Sequence, residues 1–252
     1  RTGGFETVAF CEIEEFPRRV LAKHWPKVPC YHDVRELTAD VLARDGITVD
    51  VICGGFPCQD ISSAGNKVGI SGERSGLWTE FSRLISELRP RFIIVENVSA
   101  LLNRGLDEVL GALASIGYDA EWHCISASML GASHHRDRFW LVAYANNESQ
   151  SISPFNDETC GLSKSSADDD ASAKRGIGSL GWLLAGIGRQ WEPIARNTRW
   201  ANENSPFGMG VDDGLPGRMD RLKSLGNAVV PQIPELIGHA ILDTIKSERA
   251  AA

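Results

Sequence analysis

The segment Val49-Asp50-Val51-Ile52-Cys53-Gly54-Gly55-Phe56-Pro57-Cys58-Gln59 decides the fold, because it joins a short apolar run to a turn rich in glycine and proline. The apolar run predicts a strand at residues 49–53. Helical spacing follows at Leu77, Phe81, Leu84, Ile85 and Leu88. Pro90 ends that helix directly before a second apolar run at residues 92–95. A strand, a helix and a further strand in succession predict a crossover unit and therefore an α/β sheet.

The same alternation of strands and helices extends from residue 7 to about residue 145. Further strands are predicted at residues 7–11, 120–126 and 139–143. The apolar positions of a second helix are Leu106, Val109, Leu110 and Leu113. Gly117 is predicted to form the C-terminal cap of that helix.

The composition changes after Asn147. Residues 148–176 are rich in Ser, Asp and Ala, which predicts a linker, and residues 180–217 show no sustained period, which predicts a small irregular subdomain. A helix returns near the end of the chain, and its apolar face is predicted to pack on the first region. The residues of that face are Ile233, Leu236, Ile237, Ala240, Ile241 and Ile245. We therefore predict three parts: a core at 1–145, a linker and small region at 146–217, and a C-terminal part of the core at 218–252.

The chain has 252 residues and a net charge of −7, with 42% hydrophobic and 23% charged residues. A negative net charge argues against a protein that coats nucleic acid with a generally basic surface, although it allows a local basic cleft. Neither a membrane-spanning run nor a signal peptide is recognisable, so a cytoplasmic location is the default. The six cysteines are scattered without a C-x-x-C pair, which argues against structural zinc and favours free thiols.

Cys58 lies in the turn that follows the strand at residues 49–53. In open α/β sheets ligands bind beyond the carboxyl ends of the strands, so this turn would hold a thiol where a substrate binds. Glycines allow close approach of the backbone, and Pro57 restricts the backbone that leads to Cys58. A buried structural cysteine beside a tight turn is the alternative that this loop leaves open.

A carboxylic acid follows the next strand, in Glu96-Asn97-Val98. Because neighbouring strand ends lie side by side, Glu96 is predicted to lie next to the Cys58 thiol. Addition of a thiolate to C6 of cytosine needs such a pair, since N3 must be protonated or strongly hydrogen-bonded as electron density arrives. Taken alone, Glu96 has the alternative of a helix cap or a solvated residue.

Two arginines, Arg136 and Arg138, stand directly before the strand at residues 139–143. Their spacing of two places them on the same side of a strand, where guanidinium groups can hold a carbonyl, a phosphate or a catalytic carboxylate. An exposed charged turn is the alternative. His134 and His135 make a poor metal site because no carboxylate or cysteine lies at ligand spacing.

Four motifs occur in the order and with approximately the spacing of the DNA cytosine-5 methyltransferase family, which the chain resembles over residues 5–245 apart from the variable middle. They are Phe56-Pro57-Cys58-Gln59, Glu96-Asn97-Val98, His134-x-Arg136-x-Arg138 and Arg221-x-x-x-x-Gly226-Asn227-Ala228-Val229. The resemblance implies a Rossmann-like S-adenosylmethionine-dependent methyltransferase sheet with a small target-recognition subdomain. It implies Cys58 as the nucleophile, Glu96 at N3 of the cytosine, and Arg138 at the base with Arg136 in support. His134 departs from the family, which usually has Gln at that position.

The resemblance also implies S-adenosylmethionine as the methyl donor. Glu12 would bind the ribose hydroxyls with Ile13 beside the adenine, and Asp33, next to Val34, would receive the adenine amino group. The remaining implied contacts are Pro57, Leu77, Asn227 and Val229. The family opens with a strand and an F-x-G-x-G-G turn, whereas this chain begins just after that element, at Arg1-Thr2-Gly3-Gly4-Phe5. We therefore expect a sheet that lacks a strand, from an incomplete gene or a truncated chain.

The implied partner is double-stranded DNA, bound by a monomer of bacterial or phage origin that needs no metal and no membrane. Residues 146–217 would read the target site. For Arg189, Arg196 and Arg199 in this region, contact with phosphates is favoured over recognition of guanines. Two alternatives belong to other functional classes. A Rossmann-like oxidoreductase that uses NAD is argued against by the lack of a G-x-G-x-x-G turn. A DNA-binding remnant that keeps the base site without the cofactor turn remains the second alternative.

Overall fold

The computed structural model describes residues 2–57, 76–132, 135–145, 220, 224 and 226–251 of the chain. Its strands are β1 (Phe10–Cys11), β2 (Cys30–Tyr31), β3 (Val51–Gly55), β4 (Phe92–Val98), β5 (Tyr118–Ser126) and β6 (Asp137–Ala145). Its helices are α1 (Glu15–His24), α2 (Ala39–Arg44), α3 (Gly76–Leu88), α4 (Leu106–Ser115) and α5 (Gln232–Ala251). Short 3-10 helices, Ser99–Asn103 and Ala127–Leu130, follow β4 and β5. The predicted linker and irregular subdomain lie outside the described residues.

Four strands form the main sheet, in the order β3-β4-β6-β5. Strands β3 and β4 are parallel and are joined through α3, whereas β6 runs antiparallel to both β4 and β5. Strands β1 and β2 form a separate two-stranded parallel sheet. The parallel pairs and the alternating helices confirm the predicted Rossmann-like α/β class. The antiparallel direction of β6 between β4 and β5 is not predicted by the strand pattern alone.

Apolar side chains cover both faces of the main sheet. On one face, α3 and α4 enclose a cluster that includes Ile85, Ile93, Val95, Leu113 and Leu141. On the other face, all six apolar residues predicted for the last helix pack in or against a second cluster with Phe92, Trp140 and Val142. The prediction that this helix, α5, packs back on the first region is therefore confirmed. Residues 139–143 of β6 are apolar at every position because both faces of that strand are buried.

Two predicted helix ends lead directly into strands. Helix α3 ends at Leu88, and Pro90 stands two residues before β4. Helix α4 ends at Ser115, and Gly117 adopts a left-handed backbone with φ +84° immediately before β5. Glycine adopts that conformation without the strain that a β-carbon causes, so the predicted cap at Gly117 is confirmed.

The first fifty residues form a smaller unit around β1 and β2. The strand predicted at residues 7–11 is limited to Phe10–Cys11, and α1, β2 and α2 were not predicted. Strand β2 is two residues long, which is too short to show a period, and α1 buries none of its residues. A third cluster around Leu37, Leu42 and Leu84 joins this unit to α3 and β3. None of the helices that the structure describes is long and apolar enough to cross a membrane.

Candidate functional site

Glu96 lies near the end of β4, in register with Gly55 of β3 on one side and Trp140 of β6 on the other. A β-carbon on Gly55 would lie 2.9 Å from the backbone oxygen of Glu96 and 3.2 Å from its Oε2. A residue with a side chain at this position would force the Glu96 backbone or carboxyl group to shift. Glycine at position 55 therefore makes the space that the Glu96 carboxyl group occupies beside β3.

Arg138 pairs with this carboxyl group from β6. Its Nε lies 3.1 Å from Glu96 Oε1, and both side chains are 21% exposed. Arg138 Nη1 also donates to the backbone oxygen of Asp137 at 2.9 Å, which restrains the guanidinium group. The predicted proximity of Arg138 to a carboxylate at this strand edge agrees with the structure.

The protonation of Glu96 reflects two opposing effects. Burial raises the pKa of the Glu96 carboxyl group, and the nearby charges of Arg138 and Arg136 together with the Arg138 hydrogen bond lower it. Burial is the larger effect, so the pKa of Glu96 lies above its ordinary value. A carboxyl group that is more readily protonated near neutral pH is suited to give a proton to a ring nitrogen.

Asn97 connects the end of β4 to the loop that leads to Cys58. Its side chain is buried, at 4% exposure, and Nδ2 donates to the backbone oxygen of Phe56 at 3.1 Å. Its Oδ1 accepts from the backbone nitrogen of Val98 at 2.9 Å, so both ends of the amide are used. Phe56 is itself held by Trp78 of α3, with ring centroids 5.3 Å apart. The backbone is thus fixed two residues before Cys58, by a residue that sequence reasoning did not single out.

Arg136 stands one residue before β6 and contacts the C-terminal part of the chain. Its Nη2 donates to the backbone oxygens of Gly226, at 2.7 Å, and of Ala228. Asn227 and Val229 are the predicted cofactor residues of that segment, and Val229 is 39% exposed. The structure therefore brings this segment to the sheet edge that carries Glu96 and Arg138.

The predicted ribose and adenine residues follow the two short parallel strands. Glu12 comes directly after β1 and accepts through Oε1 from the backbone nitrogen of Glu14 at 2.8 Å. Asp33 is the second residue after β2, so both carboxylates lie beyond the carboxyl ends of paired strands. Ile13 is 52% exposed, which leaves an apolar side chain open to a ring. This set of two acceptors and an exposed apolar group fits the adenosine part of S-adenosylmethionine.

Arg35 holds Asp33 in a defined position. Its Nε and Nη2 lie 3.0 and 2.6 Å from Asp33 Oδ2, and its backbone nitrogen donates to Oδ1 at 2.9 Å. The hydrogen bonds from Arg35 lower the pKa of Asp33 to about 2. Asp33 therefore stays ionised and can accept from an amino group, while Arg35, unnoticed in the sequence, fixes its direction.

The other predicted contacts differ in exposure. Pro57 is exposed. Val34 packs against the cluster around Leu37, and Leu77 packs against the cluster under α3 and α4, so both contribute to the core. Cys58 and His134 lie outside the described residues, as does Arg221. Among the described residues, no three His, Cys, Asp or Glu side chains are grouped to hold a metal ion.

Comparison with known proteins gives a family match that covers most of the chain. The model of the family described as C-5 cytosine-specific DNA methylase matches residues 1–177. The chain belongs to this family. The DNA methylase chain is 35% identical over 148 residues to the Type II methyltransferase M2.BsuMI of Bacillus subtilis (strain 168), covering 56% of this chain and 36% of that protein.

Two other comparisons show similar partial coverage. The Type II methyltransferase M.CviJI of Paramecium bursaria Chlorella virus IL3A is 33% identical over 137 residues, which cover 54% of this methylase chain and 36% of the viral protein. The S. pombe Dnmt2 methyltransferase superposes with a TM-score of 0.48 at 20% identity, covering 57% of this chain and 45% of that one. The matched part of the chain thus spans little more than a third of the length of these two Type II relatives.

Three residues of the methylase site were missed by sequence reasoning, namely Gly55, Asn97 and Arg35. Gly55 and Asn97 were quoted as parts of motifs without a separate role. The role of Gly55 depends on its position opposite Glu96 in the neighbouring parallel strand. Only the pairing register of β3 and β4 shows that position. An amide that follows an apolar strand beside a proline turn is a signal in the sequence, because a buried amide needs partners for both of its ends.

Proposed function

We propose that the protein transfers a methyl group from S-adenosylmethionine to C5 of a cytosine in double-stranded DNA, through a transient bond from Cys58 Sγ to C6. The observation that carries this proposal is the Glu96–Arg138 pair at the sheet edge where β3 leads into the Cys58 loop. The family match supports the same chemistry. Because the chain spans about a third of its relatives, the activity of the whole protein is part of the proposal.

The Cys58 thiolate would add to C6 of a cytosine that has rotated out of the duplex, since stacking covers both faces of a paired base. As the electron pair of the C5–C6 double bond shifts into the ring, Glu96 gives its proton to N3. The Glu96 carboxylate that results is then stabilised by the Arg138 guanidinium group, 3.1 Å away. Burial favours the protonated carboxyl before the step, and Arg138 favours the ionised carboxylate after it.

Bound S-adenosylmethionine would supply the methyl group on a sulfonium sulfur that leaves as a neutral thioether. C5 then loses its proton to solvent, and the C5–C6 double bond re-forms as Cys58 leaves C6 as a thiolate. The N3 proton returns to Glu96. Glu12 would accept from ribose hydroxyls, Asp33 from the adenine amino group, and Ile13 would pack on the adenine ring. The further contacts that we assign to the donor are Val34, Pro57, Leu77, Asn227 and Val229.

Residues 1–145 and 218–252 would then form the catalytic core, and residues 146–217 would choose the DNA target. The relatives are named Type II methyltransferases, and this supports a role for the chain in a restriction-modification system. A monomer in the cytoplasm remains the expectation from the sequence.

The nucleophile can be tested without a methyl donor. Addition of Cys58 to C6 lets C5 take a proton from solvent, and elimination can then release the original C5 hydrogen. DNA that carries tritium at C5 of cytosine should therefore release tritium to water when it is incubated with the protein. Cys58→Ser and Glu96→Gln should each slow the release by at least about 100-fold, the range of a general acid or a nucleophile. Unchanged release in Cys58→Ser would exclude the covalent route.

Binding of S-adenosylmethionine is measured separately by calorimetry. Binding together with tritium release supports the full proposal. Retained binding to DNA, with neither donor binding nor tritium release, would instead identify the chain as a DNA-binding remnant.

A further inference from the structure

Arg136 belongs to the predicted base site, but its hydrogen bonds point to another part of the chain. One guanidinium nitrogen, Nη2, donates to the carbonyl oxygens of both Gly226 and Ala228, which lie 90 and 92 residues further along the sequence. These carbonyls belong to the peptide groups that precede Asn227 and Val229. A single side chain therefore orients the peptide group before each of the two C-terminal residues assigned to the methyl donor.

The segment that Arg136 holds has local order of its own. The backbone nitrogen of Ala228 donates to the oxygen of Ser224 at 2.8 Å, and the nitrogen of Ile233 donates to Val230 at 3.1 Å as α5 begins. Residues 226–229 are exposed, so burial contributes little to their position. The bonds from Arg136 thus link this exposed segment directly to the main sheet.

Arg136 adopts this position at an energetic cost. Its backbone has φ +42°, a conformation that residues with side chains rarely adopt. Burial and the neighbouring Arg138 charge lower the pKa of Arg136, and the charge of Glu96 opposes them. A left-handed backbone at a residue with a side chain persists where the surroundings fix it, and such positions concentrate at functional sites.

We propose that Arg136 is a positioning residue that joins the base site to the donor site, by tying the Gly226–Val229 segment to the strand that carries Arg138. This inference rests on the proposed function for the identity of the donor. The two arginines would then have different roles. Arg138 acts on the Glu96 carboxyl group, and Arg136 acts on the backbone of the donor segment.

The first test is hydrogen exchange on the protein without ligands. Arg136→Gln should speed exchange of the Ala228 amide, which donates to the Ser224 oxygen, by at least about tenfold, because the segment loses its hydrogen bonds from a charged donor. Arg138→Gln should leave exchange in that segment unchanged. Arg89→Gln is a matched control, because Arg89 also has a left-handed backbone, φ +50°, and also donates to a distant carbonyl, that of Ile116.

The second test separates the two sites by function. Arg136→Gln should weaken binding of S-adenosylmethionine by at least about tenfold and should slow donor-free tritium release by a clearly smaller factor, because the charge of Arg136 also acts on Glu96. Arg138→Gln should give the opposite pattern. Arg136→Lys keeps a cation and several donors and should recover part of the binding.

The outcomes distinguish this proposal from the proposed function. Unchanged exchange of the Ala228 amide in Arg136→Gln overturns the positioning role, whatever the protein binds. Faster exchange in a protein that binds no S-adenosylmethionine supports the positioning role and removes the donor from the proposed function. Equal loss of donor binding and tritium release in Arg136→Gln would show a general structural role instead.

Discussion

Gly55 and Glu96 face each other across the parallel pair β3–β4, and a β-carbon on Gly55 would stand 3.2 Å from Glu96 Oε2. The same β-carbon would be 2.9 Å from the Glu96 backbone oxygen, and backbone within a paired strand gives way less readily than a flexible side chain. The space beside β3 thus sets where the Glu96 carboxyl group lies.

Gly55→Ala should therefore displace the Glu96 carboxyl group. We expect donor-free tritium release to fall by at least about tenfold, and the free energy of unfolding to fall by about 1–3 kcal/mol, as for overpacked sites. Gly111→Ala in α4 is the control, because a β-carbon there meets nothing within 4 Å. The control should be neutral or stabilising by up to about 1 kcal/mol. Normal tritium release in Gly55→Ala would show that Glu96 does not need this space.

The raised pKa of Glu96 predicts how stability depends on pH. Because burial raises the folded-state pKa above the unfolded value of 4.5, the stability that Glu96 contributes is fully present below that value. It is lost as the pH rises through the folded-state pKa. Glu96→Gln cannot ionise, so its stability relative to the wild type should increase between about pH 4 and neutral pH. Urea unfolding at both pH values measures this change.

Arg138→Met extends the same prediction. Removal of the Arg138 charge and hydrogen bond takes away two of the effects that lower the pKa of Glu96. The pKa of Glu96 should rise further, and the loss of stability on going to neutral pH should become larger than in the wild type. A smaller loss in Arg138→Met would show that Arg138 does not lower the pKa of Glu96.

Asn97 should affect the Cys58 chemistry without touching the base. Asn97→Ala removes the hydrogen bond to the Phe56 oxygen and should lower the free energy of unfolding by about 1–3 kcal/mol. The loop that leads to Cys58 would then be less fixed, so tritium release should fall while affinity for S-adenosylmethionine is kept. Asn103→Ala, at an exposed position in the 3-10 helix after β4, is the matched control. Equal effects of the two substitutions on tritium release would argue against a role for the Asn97 amide.

The sequence predicts the strands and helices that have a clear period and a clear end. Strand β4 and helices α3, α4 and α5 agree with the expected positions because their apolar residues are numerous and Pro90 or Gly117 marks a boundary. Strand β2 is too short to produce a period. Helix α1 was missed because it buries no residue, and Pro17 in its first turn reads as a break.

Contacts within the site depend on which strands and segments lie side by side in the fold, and the local sequence pattern does not show this. The sequence offered a catalytic carboxylate as one of three possible partners of the arginines, and the structure brings Glu96 and Arg138 together through the antiparallel pair β4–β6. The bonds from Arg136 to Gly226 and Ala228 depend on how α5 returns to the sheet. Tertiary packing decides such contacts, so sequence spacing could not predict them.

Arg35 offers a test of the adenine site that involves no motif residue. Its hydrogen bonds lower the pKa of Asp33 to about 2, so Arg35→Ala should raise that pKa toward the ordinary value of 3.8. A depressed folded-state pKa contributes stability above the unfolded pKa, and this contribution is lost as the pH falls toward 2. Arg35→Ala should remove this dependence, which an NMR titration of the Asp33 carboxyl group measures directly. It should also weaken S-adenosylmethionine binding a few-fold, because Asp33 loses its fixed direction, whereas Arg44→Ala in α2 should not. An unchanged affinity in Arg35→Ala would show that the donor does not depend on the orientation of Asp33.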